Sequence, residues 1–372
     1  MAEKKPTTDL LLLAAILTLV AVGIVMVFSA STFKAEKDYG DTYHILKKHL
    51  IRVAIGLVLM VILSRINYNY FRKFAKTGLF LAAGLIMYMF FSNAVAVKGS
   101  VRWLELGGFS FQPSEFAKIA IVFYMADAII RKQDKFDSLV EGFLPLLLIL
   151  GSMCLLILIE PDFSSAVIIG FIVFIMFYLG KVRIRHLAGT IITIIPIMAL
   201  AVSSSPYRMR RFTGFLDPSA DTLGINYQIN QSLISLGSGG FTGVGIGQSK
   251  EKLLYLPEPF TDFIFSILGE ELGFLGAIFV MIMFFIILWR GLNISAKISD
   301  PYGSILAAGI TLNIVVTAMI NIGVVCGLLP TTGLPLPFIS YGGSSLLFTL
   351  ASCGVLLNIG RSYGGVSKEV IT

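Results

Sequence analysis

The chain predicts an all-α integral membrane protein with ten transmembrane helices and a large extracytoplasmic loop between the seventh and eighth. Three observations carry that expectation. Of the 372 residues 56% are hydrophobic and the mean hydropathy is +0.85, values that belong to a polytopic membrane protein and not to a soluble domain of average composition. Ten apolar runs are each long enough to cross a hydrocarbon core of about 30 Å. More than half of the 29 Lys and Arg residues fall on loops and helix ends that one orientation puts in the cytoplasm, among them Arg72, Lys73, Arg131, Lys132, Arg183 and Arg185. Basic residues accumulate on the cytoplasmic side of short loops, so both termini are expected there.

The first run, Leu10 to Ser29, follows a short basic opening and has no small-residue cleavage site, so it is expected to remain as a helix. The others are expected at about 47–66, 74–92, 114–131, 142–159, 164–180, 186–205, 263–289, 302–328 and 342–360. No repeat period and no linker divides the chain, which reads as one polytopic domain over 1–372 with its long loop at about 206–262. Cys154, Cys326 and Cys353 lie inside apolar runs, a placement for packed free thiols and not for a disulfide framework or a zinc site. The net charge of +7 is spread among the loops without a concentrated patch, which points to lipid phosphate and topology and not to nucleic acid.

With both termini inside, every unusual segment falls on the outer face. These are VKGSVRWLELGGFSFQPSE, the turn EPDFSS, the long loop from Pro206 to Thr261, and LLPTTGLPLPFISYGGSS. Chemistry is therefore expected outside the membrane.

The organising stretch is Leu256 to Phe274, LPEPFTDFIFSILGEELGF, where a proline-bearing loop turns into an apolar helix. Thr261 or Asp262 is expected to cap that helix with its side-chain oxygen, leaving Asp262 at the rim where a lipid head group lies. At about 1.5 Å per residue, Glu270 is roughly 12 Å deeper and about 80° round the helix, with Glu271 on the opposite side. Carboxylates inside a membrane face a polar interior, because insertion costs about 2.5–3.5 kcal/mol each.

A second constellation, Gln112 to Lys118 in QPSEFAK, opens the fourth helix after a proline. Glu115 and Lys118 are three apart and share a face. Lys118 enters the bilayer, so it needs a carboxylate, either Glu115 or Asp262. The pair is either a packing salt bridge or a cation that faces a lipid pyrophosphate or holds Asp262 ionised. Upstream, Trp103 beside Arg102 reads as an interfacial anchor or as a sugar-stacking and lipid-gating pair. The turn Glu160-Pro161-Asp162 supplies a second acidic candidate, Asp162, unless its acids only solvate the turn.

In the long loop Arg208, Arg210 and Arg211 follow the seventh helix, suited to bidentate phosphate or to anionic head groups. Further on, Ile225, Ile229, Leu233 and Leu236 line one side of a helical pattern expected on or in the outer leaflet. The glycine-rich GSGGFTGVGIGQ is either a phosphate-binding set of amides or a flexible turn. The last outer segment carries three prolines before Ser340-Tyr341-Gly342-Gly343. Asn313 and Asn321, on the ninth helix, are expected to hydrogen-bond between helices.

PEPFTDFIF with GEELG, QPSEFxK, GSVRW, PYRxxRxxxFLxP and PFxSYGGSS together resemble the SEDS family of FtsW, RodA and SpoVE, closest to the FtsW and SpoVE branch. The resemblance runs from the first helix to the last. It implies a peptidoglycan glycosyltransferase that polymerises lipid II on the outer face of the bacterial cytoplasmic membrane, in cell division or cell-shape maintenance. It implies a class B penicillin-binding protein as partner, with other division or elongation proteins. Asp262 is then the catalytic base. Lys118, Glu115, Arg102, Trp103, Asp162, Arg208, Arg210, Arg211, Glu258 and Ser340 are the residues expected around the substrate. The donor already carries its pyrophosphate leaving group, so no nucleotide-sugar site is required, and arginines, Lys118 or a divalent cation (Mg or Mn) would stabilise the departing charge. Two other functions fit a helical bundle with buried charge. A flippase or transporter for the same lipid would want a charged path through both leaflets, and a scaffold for division proteins would need no chemistry.

Overall fold

The computed structural model describes residues 8–91, 103–106, 109–160, 162–217, 224, 226–253 and 255–365. In order the helices are α1 (Leu10–Tyr39), α2 (His44–Arg65), α3 (Asn69–Phe91), α4 (Pro113–Lys132), α5 (Leu144–Ile159), α6 (Phe163–Leu179), α7 (Ile184–Ser203), α8 (Pro206–Leu216), α9 (Tyr227–Gly239), α10 (Ile264–Lys297), α11 (Pro301–Val325) and α12 (Gly343–Gly365). A small antiparallel hairpin, β1 (Leu104–Leu106) and β2 (Phe109–Phe111), precedes α4, with Leu104 opposite Phe111. The molecule is mostly helical, and the hairpin is an addition to the all-α expectation. By length and composition six of the described helices can cross a membrane: α1, α5 with its preceding turn, α7, α10, α11 and α12. α6 is apolar but shorter, while α2, α3 and α4 carry charge within the run.

Local chemistry sets the helix ends. Asp9 accepts from the Leu12 amide at 3.0 Å to start α1, and Gly40, in the left-handed region, ends it by donating to the Glu36 carbonyl at 2.9 Å. Asp300 caps α11 through the amides of Tyr302 and Gly303, with Pro301 in the first turn. α4 likewise has Pro113 and Glu115 at its start and Arg131 and Lys132 at its end, the charge order that its dipole favours. These caps fix where charge meets the ends of the bundle.

Packing then sorts the helices. α2 lies along α12, α3 along α4, and α10 along both α11 and α1. The core runs through α4, α6 and α11, with Phe143, Phe177, Phe265, Phe284 and Tyr302 fully enclosed. α7 keeps Ile191, Ile192, Ile195 and Leu200 exposed, the surface of a helix that faces lipid.

Several expectations need correction. The long loop contains two helices, α8 and α9, and α9 does not lie free. The Ser232 hydroxyl donates to the Val325 carbonyl at 2.7 Å and that of Ser235 to the Ser266 carbonyl at 3.1 Å, so α9 packs on the ends of α10 and α11. Of its expected stripe Ile229 is buried, Leu233 is exposed, and Ile225 lies outside the described residues. α10 is broken at Gly273, whose φ of 68° and ψ of −167° are not helical. The glycine-rich stretch fills that break. The amides of Val244 and Gly245 donate to the carbonyls of Glu270 and Glu271 at 3.0 and 3.1 Å, while the amides of Phe274 and Leu275 donate to Gly240 and Phe241. A Cβ on Gly273 would run into the Gly243 amide, so the two glycines are a matched close approach. Those amides therefore serve the fold, and neither a phosphate cradle nor a free turn describes them.

Candidate functional site

Asp262 stands one residue outside the cap of α10. The cap is Phe263, which makes no side-chain hydrogen bond, so capping by Thr261 or Asp262 is corrected. What holds this turn instead is a row of donors from elsewhere. The Tyr341 amide donates to the Phe260 carbonyl at 2.8 Å, the Ser340 hydroxyl to that of Thr261 at 2.6 Å, and the Asn321 amide group to that of Asp262 at 2.7 Å. Three successive carbonyls are clamped by α11 and the segment before α12. With the backbone fixed, the half-buried Asp262 side chain is directed to Gly333, where an added Cβ would stand 3.6 Å from Oδ2. Gly333 has φ of 76°, a conformation that suits glycine.

Of the residues expected beside Asp262, Ser340 is buried, and its hydroxyl both donates to Thr261 and accepts from the Leu336 amide at 2.7 Å. It holds the turn. Glu258, with φ of 57°, accepts from the Thr261 hydroxyl at 3.0 Å, one residue before Asp262. Tyr341 packs edge-on to Phe260, and the Arg52 guanidinium lies over its ring at 4.8 Å.

The second constellation is one tight cluster. Lys118 Nζ stands 2.7 Å from Glu115 Oε1, both side chains over nine-tenths buried, which supplies the carboxylate that a bilayer ammonium requires. Glu115 is the partner found. Asp162 is buried with it, contrary to acids solvating a surface turn: it accepts from the Ser165 amide and hydroxyl to cap α6, and from Ser114 and Gln112 of α4 at 3.2 and 3.3 Å. Glu160 is buried as well. Ser344 accepts from the Gln112 amide at 2.8 Å, attaching this cluster to the start of α12. Trp103 is half-buried ahead of β1, and Arg102 lies outside the described residues.

The arginines occupy α8. Arg208 donates to the Ala201 carbonyl at 2.6 Å and lies over Phe163, whereas Arg210 is exposed. Arg211 donates to the Thr331 carbonyl at 3.0 Å, and Ser164 at the head of α6 donates to Thr332. Thus α6, α8 and Asp262 all meet the segment Thr331–Leu334.

Below this region Glu270 and Glu271 are both buried. Glu271 pairs with Lys252 at 2.9 Å and accepts from Ser29, while Glu270 accepts from Ser235, Ser249 and the Lys250 amide. The acids do face a polar interior, as the cost of burying them requires. Sequence reasoning missed their partners Lys252, Ser249 and Ser29 and buried Arg52, and it expected Asn321 to bond between helices, whereas its amide donates to the carbonyls of Asp262 and Leu334, both outside the helices. Arg52 had a signal: it sits within the apolar run HLIRVAIG, where a cation must turn inward. Among the described residues no three His, Cys, Asp or Glu side chains gather to hold a metal, and the cysteines are free.

These features define a membrane-embedded helical bundle with acids and bases collected at one end beneath a folded loop. A cell cycle protein family model, FtsW/RodA/SpoVE, matches residues 9–364. The chain belongs to that family. It is 43% identical over 352 residues to a probable peptidoglycan glycosyltransferase FtsW of Trichlorobacter lovleyi, covering 94% of this chain and 92% of that one. It is 40% identical to stage V sporulation protein E of Bacillus subtilis, covering 97% and 99%. A solved peptidoglycan synthase complex, described as coordinating polymerization and crosslinking, contains a chain that superposes with a TM-score of 0.79 at 25% identity, covering 96% and 98%. The rod shape determining protein RodA of Thermus thermophilus shares the fold, with a TM-score of 0.70 at 24% identity over 96% of this chain and 97% of that one.

Proposed function

We propose that this chain is a peptidoglycan glycosyltransferase that polymerises lipid II, with Asp262 as general base. The single observation that carries the assignment of the base is the clamp on the carbonyls of residues 260–262, which holds a half-buried carboxylate at the mouth of α10. A base must be held within hydrogen-bond reach of the proton it takes, and such groups contribute about 10²–10⁴ in rate. Asp262 takes the proton of the acceptor sugar's 4-hydroxyl as that oxygen attacks the anomeric carbon of the donor chain. The bond to undecaprenyl pyrophosphate breaks as the new one forms. The donor linkage is α and the product β, so one displacement with inversion needs no covalent nucleophile. The leaving charge is met by cations: Arg210 is exposed on α8, with Arg208 and Arg211 beside it. Lys118, tied to Glu115, and Asp162, tied to Gln112 and Ser114, are the further charged groups assigned to the substrate.

The lipid tail stays in the bilayer, so the reaction belongs at the membrane surface. Ten spans with both termini cytoplasmic put Asp262, the long loop and the proline-rich segment outside, a reading supported by the Lys and Arg bias and by the helix under each apolar run. The relatives named as glycosyltransferases and the synthase complex support the activity, and the latter supports a class B penicillin-binding protein as crosslinking partner.

The test is the full chain in liposomes, with lipid II on its accessible face. Glycan polymer is expected. Movement of lipid II between leaflets without polymer would favour a flippase, and neither outcome would leave a scaffold.

A further inference from the structure

We propose that Asn321 is a positioning residue for the chemistry at Asp262, setting the distance between the base and the proline-rich segment it faces. The inference rests on Asp262 being the base. Asn321 lies on α11 and is 2% exposed. Its amide nitrogen donates to the Asp262 carbonyl and to the Leu334 carbonyl, each at 2.7 Å. Both partners are carbonyls, so only the NH₂ end can serve them, and the orientation of the amide is fixed by chemistry. Its Oδ1 is buried without a hydrogen-bond partner among the described residues. A side chain kept only for packing would have no use for that idle oxygen. The arrangement makes sense if the two donors are what is needed.

Those two donors join the two walls of one small site. Asp262 carries the carboxylate, and Leu334 follows Gly333, the residue toward which Asp262 Oδ2 leans. Ser340 and Tyr341 hold the neighbouring carbonyls of Thr261 and Phe260, while Asn321 alone of the three clamps holds the peptide of Asp262 itself. α11 is enclosed by the bundle, so it provides a rigid post. A tether of this kind acts on the chemical step, because a base displaced by about 1 Å loses on the order of 10²-fold in rate while substrate still binds.

The experiment compares wild type, Asn321→Leu and Asn321→Asp as full chains in liposomes with lipid II. Asn321→Leu, similar in size and lacking both donors, is expected to lower kcat at least about tenfold with KM within about threefold. Asn321→Asp is expected to lower kcat in the same way, because a carboxyl buried between two carbonyls stays protonated and can donate to only one of them. A folded Asn321→Leu with kcat within about twofold of wild type, or one whose loss falls on KM and leaves kcat unchanged, would overturn the proposal. Backbone hydrogen exchange supplies a readout that does not need turnover. In Asn321→Leu, exchange is expected to rise together at residues 260–264 and at Gly333, Leu334 and Leu336, and a rise in neither or in only one of these stretches would also overturn it. If wild type makes no polymer, the reading of the function fails while the exchange result still decides the tether.

Discussion

At the scale of single residues, position here is set by distant donors and not by neighbours in sequence. An oxygen-bearing residue before an apolar run is a fair signal for a cap, and it finds the region of Asp262, yet the helix begins at Ile264 because Ser340, Tyr341 and Asn321 pull the preceding carbonyls away from helical geometry. Lys118 was legible for a different reason. A buried ammonium has few affordable partners, and Glu115 stands three residues away on the same face. Removing one member leaves the other charged and dry, at a cost of about 3–5 kcal/mol. Glu115→Gln and Lys118→Met are therefore each expected to lower thermal stability more than the double substitution does, measured by unfolding in detergent. Glu251, in the long loop, tests a subtler balance. Burial first, and the nearby Glu270 charge second, raise its pKa above the ordinary 4.5. A carboxyl raised in this way binds more protons folded than unfolded, so its contribution falls as pH rises above about 4.5. Glu251→Gln should raise Tm at pH 8 and leave it nearly unchanged at pH 4, and an equal effect at both would contradict that sign.

Among the elements, α10 with its covering loop shows what hydropathy can and cannot reveal. The apolar run from Ile264 onward identified a helix, but hydropathy is blind to the break at Gly273, because the residues on both sides remain apolar. The partners of the break come from residues 240–245, some 30 positions earlier, and their pairing uses backbone groups that any sequence possesses. Glycine was the visible trace of this close approach. Gly273→Ala is expected to strain φ and collide with Gly243, loosening the loop. Limited proteolysis between residues 244 and 253 should speed up severalfold while the membrane helices stay intact, and unchanged cleavage would show that the contacts of Glu270 and Glu271 with Ser249, Lys250 and Lys252 suffice to hold the loop. In the sequence α8 shows only as a run of arginines within a loop. Its helical form places Arg208 and Arg211 one turn apart, toward Phe163 and Thr331.

Across the whole molecule, the helix under each apolar run was readable because lipid imposes one requirement on every residue it meets, although α1 runs on to Tyr39 past the expected Ser29 and α10 to Lys297 past residue 289, whereas the site depends on contacts between segments that lie far apart in the chain. Asp262, Asn321, Gly333 and Ser340 converge from a loop, a helix and a proline-rich stretch, a meeting that periodicity does not encode. The orientation proposed for the bundle has a direct check. A thiol introduced as Gln248→Cys should react with a membrane-impermeant maleimide in intact spheroplasts, and one introduced as Lys135→Cys only after permeabilisation. Reaction in the reverse order would put the loop in the cytoplasm. The central claim is that Asp262 removes the acceptor's proton, and turnover of lipid II by Asp262→Asn in liposomes tests it most directly. The substitution keeps the size of the side chain and the clamped backbone while removing the base, so glycan polymer should fall by about 10²–10⁴ against wild type with the protein folded and inserted. An Asp262→Asn chain that polymerises lipid II at a rate near wild type would contradict it.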